Sequence, residues 1–454
     1  MRNTWVFDQI LQYSHPQKFR STMKHPFLAF LTLFAAGHIF AQIPVATADQ
    51  IVSIALETNY DIRLTQTDVA IAQLNNTRAN AGILPTVNLV ANENFTLSAF
   101  NQQLANGTEF NTLGAPFNSA NIGVQLNWPL LDGRRMYIVK RRLEALESLG
   151  QLNLRIAVQT TTVNVLQAYY NIVRGRLQER ALTEIIALNE ERLRIAEARL
   201  AAGFAAQTDA LQARIDLNQR RADFLNQQTA TIAAKRTLNR LLVRASDVAF
   251  EVDENLVNIY QPDRNTLLQK ILAQNPTLVA LQKTAEVSAL LVEESRTLNK
   301  VRINGVGQLS AQRADNGAGF TTSNTQAGLS LGANLVVPLY TGGNLRRQVE
   351  VSRLAAQQAV LRVDIQRITV ETELDNQIAL FQTQQQVLTL EEENVLIARE
   401  NLNVSTERFR LGQANGLEIQ IAQNTLEQAL SRRNLVLYNL KVAELQLRFL
   451  AGDL

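Results

Sequence analysis

The chain has 454 residues, 46% of them hydrophobic and only 6% aromatic, and Gln, Asn, Leu, Ala and Arg dominate its long central segments, which favours helix over sheet. Its 44 basic and 41 acidic residues are interspersed rather than clustered, which argues against a nucleic-acid partner. Cysteine is absent, so disulfides, thiolate metal sites, cysteine nucleophiles and a lipidated cysteine are not expected.

The first predicted element is a leader at residues 1–41. A signal peptide begins at Met23 with a short basic region and an apolar run at 27–36, and the expected cleavage point lies near Ala41. We interpret residues 1–22 as sequence upstream of the true start. The alternative is a buried amino-terminal helix, since the run is too short to span a bilayer of about 30 Å.

Removal of this leader would leave a mature chain without histidine or cysteine. All three histidines, His15, His25 and His38, lie in the first forty residues. General-base, nucleophilic and transition-metal chemistry would lose its usual side chains. We therefore predict that the protein is not an enzyme, with no catalytic residue, no metal and no other cofactor.

The sequence after the leader contains two matching halves. Pro129 is repeated at Pro338, 209 positions later, and Gly203 is repeated at Gly412 with the same spacing. A fixed offset of this kind predicts internal structural repeats. The two predicted repeats and the loop between them cover residues 42–245, 264–454 and 246–263.

Each half begins with a helix, followed by two segments in which apolar and polar residues alternate. In the first segment, Val87 and Leu89 alternate with Thr86 and Asn88. A period of two predicts strands with one apolar and one polar face, and turn-rich stretches join each pair. The four predicted strands cover residues 84–100, 120–131, 300–313 and 326–339.

A long rod follows each pair of strands. Residues 134–200 and 343–410 lack proline and favour helix over about 67 positions, or about 100 Å at 1.5 Å per residue. Asp132, and Thr341 or Asn344, are predicted to cap the rods. Apolar residues at every seventh position predict a coiled-coil seam in each rod: Leu149, Ile156, Val163, Tyr170 and Leu177, then Leu374, Phe381, Leu388, Val395, Leu402 and Phe409.

Glycines end the two rods. Gly203 and Gly412 suit the left-handed turn at the carboxyl end of a helix, and a second helix then returns through 208–243 or 416–450. Each half therefore contains a long helical hairpin. Because the helices fill one another's seams, the apolar strand faces need a different partner.

A lipid bilayer is the partner that we predict for the strands, provided that the sheet closes into a barrel. Four strands are too few, because the smallest membrane barrels use about eight, so several chains must contribute. Trp128 would lie in an interfacial aromatic girdle, or alternatively cap the sheet as a buried side chain. The predicted fold class is mainly α with a membrane β-barrel contribution.

These features resemble the TolC-like outer membrane factor family, also known as outer membrane efflux proteins. The resemblance lies in the paired strands and in the glycine tips followed by an acidic residue, and it covers residues 46–452. It also lies in the step from each strand pair into its long helix, and it implies a junction between barrel and helix at Trp128, Pro129 and Gly133, and at Pro338 and Gly342. It implies a homotrimer with one twelve-stranded barrel in the outer membrane of a Gram-negative bacterium. Its helices would form a periplasmic coiled-coil tunnel.

The resemblance also implies a function. Such proteins are passive exit ducts of tripartite efflux or type I secretion systems, surrounded by outer-membrane lipid, and they dock onto a periplasmic adaptor protein and an inner-membrane pump of RND or ABC type. Gly203 and Gly412 would lie at the helical tips that dock the adaptor. Asp209 and Glu418 would lie at the aperture, where a ring of carboxylates favours cations. Alternatively, these acids only stabilise helix amino termini.

The sequence departs from the family pattern at two positions. Ala414 stands where a gate-locking arginine is expected, and Ile421 where a second carboxylate is expected. The basic cluster at 134–142 is interpreted as a solvated helix face rather than a site for acidic lipid or nucleic acid. The rival functions are a periplasmic coiled-coil scaffold or adaptor without a pore, and an exported enzyme that works through carboxylates alone.

Overall fold

The computed structural model describes residues 45–254, 256, 260–317 and 321–454, which belong to one compact unit. The predicted leader lies outside these described residues, as do parts of the loop between the two halves. The elements follow one another as α1 (Ala48–Thr58), α2 (Tyr60–Asn75), β1 (Thr86–Gln103), β2 (Glu109–Leu131), α3 (Arg135–Ala201), α4 (Gln207–Leu241), α5 (Arg264–Gln274), α6 (Pro276–Thr297), β3 (Arg302–Asn316), β4 (Ser323–Val336), α7 (Asn344–Arg410) and α8 (Gly416–Ala451).

Two asparagines fix the short helices to the long hairpins. The side chain of Asn59 accepts a hydrogen bond from the backbone N–H of Asp61 at the start of α2, and its amide donates to the carbonyl of Leu241 at 2.9 Å. Asn275 repeats this arrangement at the start of α6, with its amide 2.9 Å from the carbonyl of Leu450. One side chain therefore both caps a helix and holds the end of a returning helix.

The segment before α1 is held by the loop between the halves. Ala46 forms a parallel bridge with Val252, and the hydroxyl of Tyr169 on α3 donates to the carbonyls of Ala46 and Asp253, each at 3.1 Å. Burial raises the pKa of Tyr169 to about 12, so this hydroxyl keeps its proton at physiological pH. The middle of the long helix α3 is thus tied to both chain segments that cross it.

The two long helices have the predicted length. Helices α3 and α7 contain 67 residues each, which corresponds to about 100 Å. Each is followed by a left-handed glycine, Gly203 at φ 78° and Gly412 at φ 76°, where a side chain would be strained. Helices α4 and α8 then return alongside α3 and α7 as the second arms of two hairpins.

The predicted seam holds in α7 but not in α3. Five of the six predicted α7 positions are buried, including Phe381 at 1% exposure, and Leu388 is partly buried. In α3 only Val163 of the five predicted positions is fully buried. Helix α3 packs against α1, α2, α4, α6 and α8, so its buried residues surround the helix instead of following one stripe. Ile172 and Ile185 are among the buried residues that the heptad pattern missed.

The four strands form one antiparallel sheet in the order β1-β2-β3-β4. The predicted loop at 100–120 is wrong in extent, because β1 continues to Gln103 and β2 already begins at Glu109. A tight turn at Gly107, with φ 85°, allows main-chain pairing to continue beyond the region of apolar alternation. Residues 109–112 and 115 pair with β1, and none of residues 109–115 pairs with β3, so this hairpin projects past β3 and β4.

Prolines mark where strands lose a neighbour. Pro116 has a strand partner only on β1, and on its other side its carbonyl accepts the N–H of Gly317, just after β3. Pro129 has a strand partner only on β3, because the β1 pairing ends at Asn127. Proline lacks the N–H that a second neighbour would require. For the same reason β4 ends at Val336, short of the predicted end at 339 and of Pro338.

Candidate functional site

The sheet has one apolar and one polar face, as the alternation predicted. The register aligns one row of apolar side chains on all four strands, and all four are exposed: Leu89, Val124, Leu309 and Leu329. The neighbouring row on the opposite face is polar: Asn88, Gln125, Gln308 and Ser330. A wall with these faces can separate a lipid phase from water.

Both outer strands have an unpaired edge within the described chain. Strand β1 pairs only with β2 and β4 pairs only with β3, and every residue of β4 from Ser323 to Val336 is exposed. A long exposed edge presents free N–H and C=O groups, and these require another strand if the sheet lies in lipid. None of the described helices is long and apolar enough to cross a membrane.

Two consecutive left-handed residues turn each strand pair into its long helix. Gly133 (φ 69°) and Arg134 (φ 75°) precede α3, and Gly342 (φ 61°) and Gly343 (φ 78°) precede α7. Gly133 is required for a second reason, because a Cβ built there would lie 2.3 Å from the Cβ of Lys300. Gly133 and Gly342, two of the predicted junction residues, thus lie where the chain turns from strand to helix.

The predicted caps were half correct. The Asp132 carboxylate accepts a hydrogen bond from the backbone N–H of Met136 at 2.8 Å, as expected for α3. Helix α7 has no side-chain cap, so the prediction for Thr341 or Asn344 is wrong. The residue in the cap position is Gly343, which has no side chain, and Asn344 already lies inside the helix.

Trp128 lies on the same face as the apolar row and is 45% exposed. Its indole N–H donates to the carbonyl of Ile83 at 3.3 Å, which fixes the ring at the helical end of the sheet. The buried alternative for this tryptophan is therefore wrong. An aromatic ring with a satisfied polar atom at an apolar boundary is the arrangement that membrane interfaces favour.

The two tip carboxylates differ in their partners. Asp209 is exposed in the first turn of α4, and its side chain forms no hydrogen bond or ion pair with any described residue. Glu418 lies in the first turn of α8 and forms an ion pair with Arg408, with Oε1 2.5 Å from Nη1. Neither acid caps its helix, because α4 has no side-chain cap and Asn415 caps α8. Only Asp209 presents an unpaired negative charge.

Sequence reasoning missed the contacts between the two hairpins. Arg199 stands 209 positions before Arg408, yet it does not bind the acid of its own hairpin. It donates from Nη1 to the carbonyl of Phe409 at 3.0 Å, and its guanidinium lies 5.0 Å from the centroid of the Phe409 ring. Repeated arginines thus have different partners, since only one of them reaches the other hairpin.

Further side-chain contacts join the two hairpins, and four of them illustrate their chemistry. The pairs are Glu184 with Arg399, Glu191 with Arg410, Arg220 with Glu427, and Gln423 with the carbonyl of Leu188. Arg220 and Glu427 are half-buried, with Nη1 and Oε2 2.9 Å apart. Burial raises the pKa of Glu427 while Arg220 opposes that shift.

At the two departures from the family pattern, the tip lacks charge. Ala414 packs against the apolar cluster around Phe409 and Ile419, and Ile421 is exposed. Among the residues that the structure describes, no group of His, Cys, Asp and Glu could hold a metal ion. The tips therefore consist of two glycine turns, one free and one paired carboxylate, and an arginine that joins the hairpins.

Known proteins share this sequence pattern and fold. The family profile described as "Outer membrane efflux protein" matches residues 51–243 and 267–453. Outer membrane efflux protein BepC of Brucella suis biovar 1 (strain 1330) is 25% identical over 333 residues, which cover 70% of this chain and 68% of BepC.

Two solved structures illustrate the likeness in fold. The CmeC outer membrane channel of Campylobacter jejuni superposes with a TM-score of 0.76 at 17% identity, covering 89% of this chain and 85% of CmeC. The outer membrane protein VceC of Vibrio cholerae gives a TM-score of 0.73 at 17% identity, covering 89% of this chain and 96% of VceC.

Proposed function

Because this chain belongs to the outer membrane efflux protein family, we propose that it is the exit duct of a tripartite efflux or type I secretion system in a Gram-negative bacterium. Family membership confirms the predicted outer-membrane localisation, with a periplasmic helical tunnel, and the prediction that the chain is a channel protein rather than an enzyme. The periplasmic adaptor, the RND or ABC pump and the transported cargo are parts of the proposal.

The sheet carries this proposal. One face is apolar and exposed, the other is polar, and both edges are unpaired among the described residues. We infer that three copies join β1 of one chain to β4 of the next and close a twelve-stranded barrel, in which every strand edge has a partner. The polar rows of Asn, Gln and Ser would then line the aqueous interior.

The exposed side chains of helix α7 support an assembly of several copies, independently of the sheet. It leaves apolar side chains exposed outside its buried seam: Val351, Leu354, Leu361, Ile365 and Ile368. These residues need a covering surface, and the described part of the chain does not supply it. A neighbouring copy packed beside α7 would extend the two hairpins of each chain into a tunnel of twelve helices.

The two halves are best explained as an internal duplication. The elements from α1 to α4 follow the same order as those from α5 to α8, and Asn59 and Asn275 make equivalent hydrogen bonds. Duplication places one glycine tip on each hairpin, at Gly203 and Gly412. We propose that these tips dock the periplasmic adaptor and that Asp209 supplies the unpaired charge of the aperture.

The mass of the assembled protein tests the proposal. The chain expressed from Met23 would be extracted from outer membranes, and its mass measured by light scattering with correction for detergent. A trimer in the outer-membrane fraction is expected. A soluble periplasmic monomer or dimer would refute the duct and support the scaffold alternative.

Neutralisation of charged side chains at the tips tests separately whether they line the aperture. In a reconstituted channel, Asp209→Asn and Glu418→Gln should each reduce the preference for cations, because each change removes one negative charge per chain. Arg408→Gln should increase that preference, because it releases the Glu418 carboxylate from its ion pair. Reversal potentials that stay unchanged in all three variants would remove these residues from the aperture.

A further inference from the structure

The junction between the sheet and the long helices is strongly basic, but its free positive charge does not lie mainly on the sequence cluster at 134–142. Within the basic cluster at 134–142, the guanidiniums of Arg135 and Arg142 both bind Glu294, at 3.0 and 2.9 Å. Lys140 pairs with Glu144, and Arg141 pairs with Glu293. Of this cluster only Arg134 has no carboxylate partner among the described residues, so the run along α3 is largely neutralised.

The fold assembles a second basic group from three separate chain segments at the same end of the sheet. Its members are exposed and have no carboxylate partner within the described chain: Arg134, Arg296, Lys300, Arg346 and Arg347. We name these five residues the basic collar. The Asp132 carboxylate lies among them but accepts the N–H of Met136, so it offsets one charge at most.

Local geometry brings these segments together. The Cβ position of Gly133 lies against the side chain of Lys300, which places the start of α3 beside the connection into β3. Arg302 is the first residue of β3 and pairs with Val336 at the end of β4, from which the chain runs on into α7. It lies on the same face as Gln308, so it belongs to the polar face of the sheet and not to the collar. The collar therefore follows the helical end of the sheet.

Charge differs between the two ends of the sheet. Beyond the collar, residues 86–131 and 303–336 contain three carboxylates and one guanidinium, a net charge of −2. Next to the collar, apolar and aromatic side chains remain exposed, with Leu339 at 92% and Tyr340 at 89%, and Trp128 is fixed nearby. Cations bordering an apolar face match the headgroup boundary of a lipid leaflet that carries negative charge.

We propose that the basic collar binds the phosphate headgroups of acidic phospholipids in the periplasmic leaflet of the outer membrane. The inference rests on the proposed function, because it requires the apolar sheet face to lie in a bilayer. Nucleic acid or an acidic protein would also bind positive charge, but neither would cover the exposed apolar side chains beside the collar. Guanidinium and ammonium groups without a carboxylate partner attract anionic lipid when they lie at the level of the headgroups. This attraction would fix the position of the sheet along the membrane normal.

Tryptophan fluorescence in bilayers provides the test. In the full chain carrying Trp5→Phe, Trp128 is the only tryptophan and lies beside the collar. The protein is reconstituted in phosphatidylcholine that contains increasing fractions of brominated phosphatidylglycerol or brominated phosphatidylcholine. Quenching then gives the relative binding constant of the two lipids at Trp128. A preference for phosphatidylglycerol of about fivefold is expected, which corresponds to one cation beside a headgroup with a net negative charge.

A matched pair of triple variants separates a local site from general charge. R134Q/R296Q/K300Q should reduce the relative binding constant to about one. R236Q/R240Q/R362Q removes the same charge from exposed positions on α4 and α7 and should keep the preference, since Arg362 lies about 27 Å along α7. In the unaltered protein, 1 M salt should abolish the preference by shortening the screening length to about 3 Å.

The outcomes separate the collar from the duct. Equal quenching by the two brominated lipids would overturn the collar and leave the membrane sheet intact. Loss of the preference in the control triple variant as well would also overturn the collar, because the preference would then depend on the total charge of the protein and not on these residues. If neither lipid quenches Trp128, the sheet is not in the bilayer and the proposed function fails together with the collar.

Discussion

We propose that the contact between Arg199 and Phe409 holds the two hairpin tips together when the channel is closed, so replacement of Arg199 by alanine should favour the open channel. Arg199 donates to the carbonyl of Phe409 at 3.0 Å and its guanidinium lies 5.0 Å from the ring of that residue. A charged hydrogen bond is worth about 1.5–3 kcal/mol, and an exposed cation–π contact adds about 0.5–1 kcal/mol. The other tip contacts include exposed ion pairs worth about 0.2–1 kcal/mol each. We expect R199A to destabilise contact between the tips by about 2 kcal/mol.

Single-channel recording in planar bilayers measures this effect. A change of about 2 kcal/mol corresponds to about a 30-fold increase in the ratio of open to closed time. Arg408→Ala is the matched control, because Arg408 binds Glu418 within its own hairpin and should leave the contact between hairpins intact. An open-to-closed ratio in R199A within about twofold of the R408A value would refute this reasoning.

Substitutions at three further positions test the fold by thermal unfolding in detergent, monitored by circular dichroism. Phe381→Ala should lower the free energy of unfolding by about 3–5 kcal/mol through the cavity it leaves, while Phe381→Leu should cost about 1 kcal/mol; equal losses would contradict tight packing. Asn59→Ala should cost about 2 kcal/mol, and Asn59→Ser, which keeps the cap but loses the bond to Leu241, about half; a fully stable Ala variant would show that neither bond matters. Because the pKa of Glu427 is raised, its stabilising contribution is present below the unfolded pKa and is lost as pH rises through the folded pKa. The Tm of Glu427→Gln relative to that of the unaltered protein should therefore rise between pH 4 and pH 7, and a constant difference in Tm would exclude this reasoning.

Periodicity predicted much of the fold. The heptad in α7 and the alternation in the strands identified a buried seam and an apolar face, because each pattern reflects one flat contact surface. The same reasoning failed for α3, whose neighbours come from five helices spread along the chain. It also failed for the strand hairpin at 100–120, where main-chain hydrogen bonds continue after the apolar alternation has ended.

The sequence predicted where the residues of the candidate site lie better than it predicted which residues they contact. Sequence symmetry located both glycine tips and both tip acids, but it assigned Asp209 and Glu418 the same role. The structure pairs only Glu418, and it sends Arg199 to the other hairpin while its counterpart Arg408 stays within its own. Such choices depend on how the hairpins pack, which an internal repeat does not encode. The collar was missed because its cations are distant in sequence.

The projecting hairpin of β1 and β2 has a practical consequence. Its turn at 104–108 lies beyond the last residue of β2 that pairs with β3, and Gly107 can adopt its positive φ without strain. A peptide inserted between Asn106 and Gly107 would therefore lengthen a free turn and leave the shared strand pairing untouched. In intact cells such an insertion would be displayed to antibodies from outside, which makes this turn a suitable place for an epitope tag or a displayed peptide.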